Sequence, residues 1–133
     1  MRLHQDTRGL VGKILVVWLL LVALVGVMAV DAASIAITTY RLSDTASEAA
    51  TVGAAALRSS HGQETACDDA RQAIETKDPD QPIGKAFCEL DLQTETVTIT
   101  LKARVTTIVA GRLSFTKNLT RVVVVESGRP SGV

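Results

Sequence analysis

Residues 14–30 read ILVVWLLLVALVGVMAV, an apolar run with no charge and no proline. A bilayer core is about 30 Å thick and takes roughly 20 apolar helical residues to cross. The run is slightly short by itself; Gly9, Leu10, Val11 and Gly12 lengthen it. Lys13 then falls inside the segment, near enough to its edge for the ammonium to reach the headgroups along an apolar stem. Arg2, Arg8 and Lys13 precede the run against a single Asp6, and the first base after it is Arg41. The positive-inside bias predicts a cytoplasmic stub over 1–13, a transmembrane helix over 14–30 and a C-terminal domain outside the cytoplasmic membrane. A second reading is a cleaved signal peptide, with small residues near 27–32 as the cleavage site and release of a secreted protein. Its apolar centre would exceed the usual length of about 7–15 residues, so retention as a single-pass anchor is the expectation.

Beyond the run, 31–126 is enough for one small extracytoplasmic domain, and the Gly/Ser/Pro-rich 127–133 reads as a disordered tail. Lys plus Arg number 14 and Asp plus Glu 14, so no net charge points to nucleic acid. With Trp18 in the apolar run, only Tyr40, Phe87 and Phe115 remain as aromatics. That scarcity argues against carbohydrate sites and base-stacking platforms.

Residues 31–60 contain no proline and no turn cluster, so the membrane helix can continue outward without a break. Ile35, Thr39, Leu42, Ala46, Ala49, Gly53 and Ala56 recur at steps of four and three, one face of a helix. The opposite side carries Arg41, Asp44, Ser47, Glu48 and Thr51. A stripe of alanine and glycine lets another backbone approach closely. It packs either on its own domain or on neighbouring subunits, and both can hold along different lengths of the helix.

Ser59, Ser60, His61 and Gly62 end that helix, and 65–76 reads as a shorter one with Thr65 as N-cap. Cys67, Ala70 and Ile74 share one side of it, and Asp68-Asp69 stand near its start, where negative charge complements the dipole. Asp78-Pro-Asp-Gln-Pro82 breaks the chain into a surface loop. The period then changes to two. Cys88, Leu90 and Leu92 alternate with Glu89 and Asp91, and Val97, Ile99, Leu101, Ala103 and Val105 alternate with polar residues. This predicts a sheet with one buried and one wet face, with a hairpin between its first two strands. A last strand spans 119–126; its four consecutive valines suggest burial on both faces or a partner on the open one. Residues 106–118 fit either a long hairpin around Gly111 or an apolar crossing segment. The expected fold is α+β and pilin-like: a long N-terminal helix, half transmembrane, with a short helix and a three-stranded, mostly antiparallel sheet.

Cys67 and Cys88 are the two cysteines, placed independently on the inward faces of the short helix and the first strand. Outside the cytoplasm a disulfide is permitted. Closing a loop of roughly 20 residues is worth about 3 kcal/mol in the chain-entropy model. Two buried thiols are the alternative. Two cysteines and a distant His61 do not make a metal site. No paired carboxylates with a pocket, phosphate-binding glycine loop or serine elbow is present. The expectation is a protein without enzymatic activity, cofactor, metal or small-molecule substrate.

Asp6-Thr-Arg-Gly9, the apolar helix and Asp31-Ala-Ala-Ser34 together resemble the start of TadE/TadG-like proteins of bacterial tight-adherence (Flp) pilus systems. The Ala-rich 46–56, the Cys67-Asp-Asp-Ala70-Arg-Gln-Ala73 segment with Cys88, and Val97-Thr-Ile-Thr-Leu101 are similar to actinobacterial members. The resemblance covers nearly the whole chain. It implies a minor pseudopilin or accessory assembly component of a Tad-type pilus or secretion apparatus, with other pilus or secretion-system proteins as partners. Pseudopilins cut by prepilin peptidase generally carry Glu at the fifth position after the cleaved glycine; after Gly9 that position is Ile14. The alternative is a membrane-tethered binding or regulatory module unrelated to pili.

Overall fold

The computed structural model describes residues 7–59 and 62–130. Arg2, His4, Asp6, Ser60 and His61, with the last three residues of the expected tail, lie outside them. The elements are α1 (Thr7–Ala56), α2 (Gly62–Lys77), β1 (Cys88–Asp91), β2 (Thr96–Arg104), a 3-10 turn (Lys117–Thr120) and β3 (Arg121–Gly128). The fold is α+β.

α1 is one helix of 50 residues. At 1.5 Å per residue it is about 75 Å long. Its apolar part is long and apolar enough to cross a membrane, and only 6% of that part is buried within the protein. No proline interrupts the helix, and a Cβ added at Gly26 would meet only open space. The same helix then turns from exposed to buried. Leu42, Thr45, Ala46, Ala49, Ala50, Gly53 and Ala54 are all buried.

The three strands form an antiparallel sheet in the order β1-β2-β3. Cys88 pairs with Ile99 and Asp91 with Thr96; Val97 pairs with Gly128 and Arg104 with Arg121. Val97, Ile99 and Leu101 are almost wholly buried, Val105 is buried and Ala103 partly so, while Lys102 and Arg104 face water. Each large apolar side chain taken fully from water contributes about 1.5–3 kcal/mol. Ile74, Ile99, Leu101 and Val97 are the largest of these. α2 contributes Ala70 and Ile74 to the same core, and its Ala66 is buried as well.

Several expectations are corrected. α2 begins at Gly62, so Thr65 lies inside its first turn and is not the N-cap; Glu64 is the acid there, and Asp68-Asp69 are mid-helix. Leu92 leaves β1 and is 54% exposed in the hairpin turn. Asp91 causes this: its Oδ1 accepts the amides of Gln93 (2.9 Å) and Thr94 (3.2 Å) and starts the turn one residue early. Glu95 adopts φ 51° to close it. β3 runs two residues past Glu126, so Ser127 and Gly128 belong to the sheet and not to a tail. Val122 and Val124 are buried while Val123 and Val125 are exposed, so the four valines are covered on one face only within this chain. Residues 106–118 form neither a strand extension nor an apolar crossing; they are a looped excursion between β2 and β3.

Candidate functional site

The stripe of small residues is the first candidate. Leu42, Ala46, Ala49 and Gly53 are buried inside the domain, and Ala56, at the end of the helix, is half-buried. Ile35 is partly buried and Thr39 is exposed. Sequence spacing missed Thr45, Ala50 and Ala54, which widen the stripe. The cause is geometric: α2 and the sheet flank α1 on two sides, so the buried arc exceeds a single seam. Gly53 stands where the three meet. A Cβ there would lie 3.1 Å from the Ala66 carbonyl oxygen, 3.1 Å from Val97 Cγ1 and 3.4 Å from Ala70 Cβ. Gly128 performs the matching role on β3. A Cβ on it would reach 2.9 Å from the Thr51 amide nitrogen and closer still to the Ala50 carbonyl. Backbone therefore lies directly on backbone at this seam.

The second candidate is the cysteine pair. Cys67 and Cys88 are joined, with Cα atoms 5.9 Å apart and a sequence separation of 21. Both are half-buried at the edge of the core. The bond ties α2 to the outermost strand β1. Phe87, just before β1, is buried, and the Arg71 guanidinium sits 4.8 Å over its ring. The sequence offered no cue for that pair, because the alternation over 87–92 puts Phe87 on the same side as Glu89 and Asp91, the wet one, while the structure buries it.

The polar face of α1 is exposed, as its spacing indicated. Lys77, at the end of α2, bridges to Asp44 at 2.7 Å and to Glu48. Hydrogen bonds from its ammonium to Asp44 and then to Glu48 hold the lysine above its ordinary pKa. On the other flank, the Ser43 hydroxyl donates to Glu126 of β3.

The third candidate was invisible in the sequence. Asp31, the first residue after the apolar run, is 5% exposed. Its Oδ1 accepts the Ile108 amide at 2.7 Å, and its Oδ2 accepts those of Val109 (2.9 Å) and Ala110 (3.0 Å). The amides of Ala110, Ile108 and Val109 hold this carboxyl below the usual carboxylate range. The clamp explains why 106–118 cannot continue the β ladder: three of its amides are turned toward α1.

Among the described residues, no three His, Cys, Asp or Glu side chains converge as a metal site requires. The arrangement packs a small domain onto the C-terminal half of a helix whose N-terminal half is apolar on every side over 14–30. Comparison with protein-family models, with curated proteins and with solved structures finds no match.

Proposed function

We propose that the chain is a membrane-anchored minor pseudopilin or accessory assembly component of a Tad-type pilus or secretion apparatus, acting by position and not by chemistry. The apolar run of α1 would span the cytoplasmic membrane once. The Arg2, Arg8 and Lys13 bias would keep the N-terminus inside, and the domain would stand outside. The observation that carries this reading is the continuity of α1 from Thr7 to Ala56. Anchor and domain spine are one helix, so the domain's position is coupled to the membrane without a hinge. Asp31 speaks against one of the two cleavage positions: a cut after Ala32 would remove the carboxylate that holds 108–110, whereas a cut after Ala29 would leave it in place.

The resemblance to TadE/TadG-like proteins supplies the apparatus. Ile14, where processed pseudopilins carry Glu, favours an accessory role over a fibre subunit. The small-residue stripe is occupied by the chain's own α2 and sheet. Partners would therefore dock on the outward side of α1, where Ile37 is 60% and Tyr40 78% exposed, or on the free edge of β3. Deleting the gene in its host, then restoring it, tests the proposal. Surface fibres counted by electron microscopy should be lost and regained, and a photo-crosslinker at Tyr40 should capture another pilus protein. Wild-type fibres after deletion, with no such crosslink, would refute it.

A further inference from the structure

The excursion between β2 and β3 lies at one end of the domain, the end where α1 leaves its apolar run. Asp31 fixes it there, one residue beyond Val30, through the amides of 108–110. A second turn is fastened to the first: the Thr116 hydroxyl donates to the Ala110 carbonyl at 2.6 Å. The register of the sheet agrees with this placement. Gly128 of β3 abuts Ala50, Glu126 meets Ser43, and β3 begins at Arg121, toward the Asp31 end of the helix.

Two properties distinguish this end. Its large apolar side chains point outward: Ile108 is 57%, Phe115 79% and Leu119 63% exposed. Beside them is a cavity of about 360 Å³ whose lining includes Arg104, Arg112 and Arg121, with Thr107 and Gly111. Arg104 and Arg121 are cross-strand partners at the end of the β2–β3 ladder. Like charges directly opposite each other on a sheet are unfavourable without a counter-charge.

We infer that residues 106–120 form a membrane-surface foot, in which Ile108, Phe115 and Leu119 enter the interface of the bilayer that α1 crosses and Arg104, Arg112 and Arg121 hold the phosphate of an anionic phospholipid. This rests on the membrane reading of α1. Apolar side chains inserted at the headgroup boundary and arginines on lipid phosphate are the two components of interfacial binding. A lipid fits this place because the foot is tied to the helix at Asp31, next to Val30 where the apolar run ends, so a bilayer around that run would have its headgroup region at the foot. Arginine also matches phosphate oxygens bidentately. With three points of attachment the domain would be fixed against rotation about the α1 axis, so that the same faces are always presented to partners.

The test uses the full chain in nanodiscs of phosphatidylcholine with phosphatidylglycerol, one or other lipid brominated in its acyl chains. Trp18 is the chain's sole tryptophan. Its quenching reports whether α1 is in the bilayer. In a Trp18→Phe, Phe115→Trp variant the new indole reports the foot. The expected result is quenching of the indole at 115 by bromines near the top of the chains, stronger with brominated phosphatidylglycerol than with brominated phosphatidylcholine. Near a membrane surface each basic residue is worth about fivefold in preference for anionic lipid. Adding Arg112→Gln should reduce the selectivity by about that factor, and Arg104→Gln with Arg121→Gln should abolish what remains. An intact Cys67–Cys88 bond and unchanged circular dichroism will show that these variants are folded. Quenching of Trp18 without quenching at 115 overturns the foot and leaves the membrane reading standing. Quenching at 115 that is equal for both lipids overturns the headgroup site. No quenching of Trp18 means that α1 is outside the bilayer, and both readings fall.

Discussion

At the scale of single residues, the molecule depends on a few positions where nothing larger, or nothing less charged, fits. Gly53 is one, because α2 backbone and a β2 side chain close over it from two sides. Gly53→Leu should cost at least the 1–3 kcal/mol (about) typical of overpacking, read as a lower urea midpoint with an unchanged slope. Ala49→Leu, on the same buried stripe, should do likewise. Stable, protease-resistant domains from both would mean that the stripe does not pack on its own sheet. Gly128→Ala should also destabilise, since its Cβ has only α1 backbone to meet. Asp31 and Asp91 act through charge. Amides of 108–110 lower the first carboxyl, while the Thr94 hydroxyl and amide, then the Gln93 amide, lower the second. A carboxyl whose folded pKa is depressed stabilises the fold above its unfolded pKa, and loses that contribution as pH falls through the folded value. The wild-type midpoint in urea should therefore fall between neutral pH and pH values below the carboxylate range. An Asp31→Asn, Asp91→Asn double variant should show a flatter profile over that window, and an equally steep one would contradict the assignment. Asp31→Ala should also speed tryptic cleavage after Arg112 relative to wild type.

At the scale of elements, legibility in the sequence followed periodicity. Val97 to Val105 alternates cleanly and forms β2 with the inward face expected, because a strand half-covered by one layer writes its burial at a period of two. The steps of the α1 stripe placed Leu42, Ala46, Ala49 and Gly53 in the core for the same kind of reason. Elements held by side chain-to-backbone bonds were illegible. The path of 106–118 combines local turns, such as the Gly111 amide on Thr107 Oγ1 and the Thr116 hydroxyl on the Ala110 carbonyl, with three bonds to Asp31, 77 residues before Ile108, and that distant partner is not written in the local sequence. The start of α2 was misplaced for a related reason. Thr65 carries the expected capping residue type, but the helix already begins at Gly62. A Cβ there would collide with the Ala56 carbonyl and the Leu57 backbone, so the glycine allows α2 to start directly against the end of α1. The disulfide joins two elements that otherwise pack little against each other, α2 and the edge strand β1. Replacing Cys67 and Cys88 by serine should cost about 2–5 kcal/mol, with β1 the first strand to lose amide protection in hydrogen exchange. Equal stability with and without reductant would show that the bond closes a loop already fixed by packing.

At the scale of the whole molecule, one helix carries two kinds of surface. Its first part is apolar all round and exposed, which is compatible with a single-pass membrane helix. Its second part buries one stripe and shows water the Arg41, Asp44, Glu48 side. A zero net charge hid how unevenly the charges are arranged, since Arg104, Arg112 and Arg121 gather around one cavity beside the end of the apolar run. Composition reports a sum, and only the fold reports where the summands lie. The account as a whole requires α1 to remain uncut, with its apolar run in the membrane and the domain outside. That is tested most directly by fusing to Val133 a reporter active only outside the cytoplasm and recovering the chain from alkali-washed membranes for intact mass measurement. The account predicts an active reporter and a mass that includes residues 14–30. A reporter active only in the cytoplasm, or a mature chain beginning near Ala33 and released from the membrane, would contradict it.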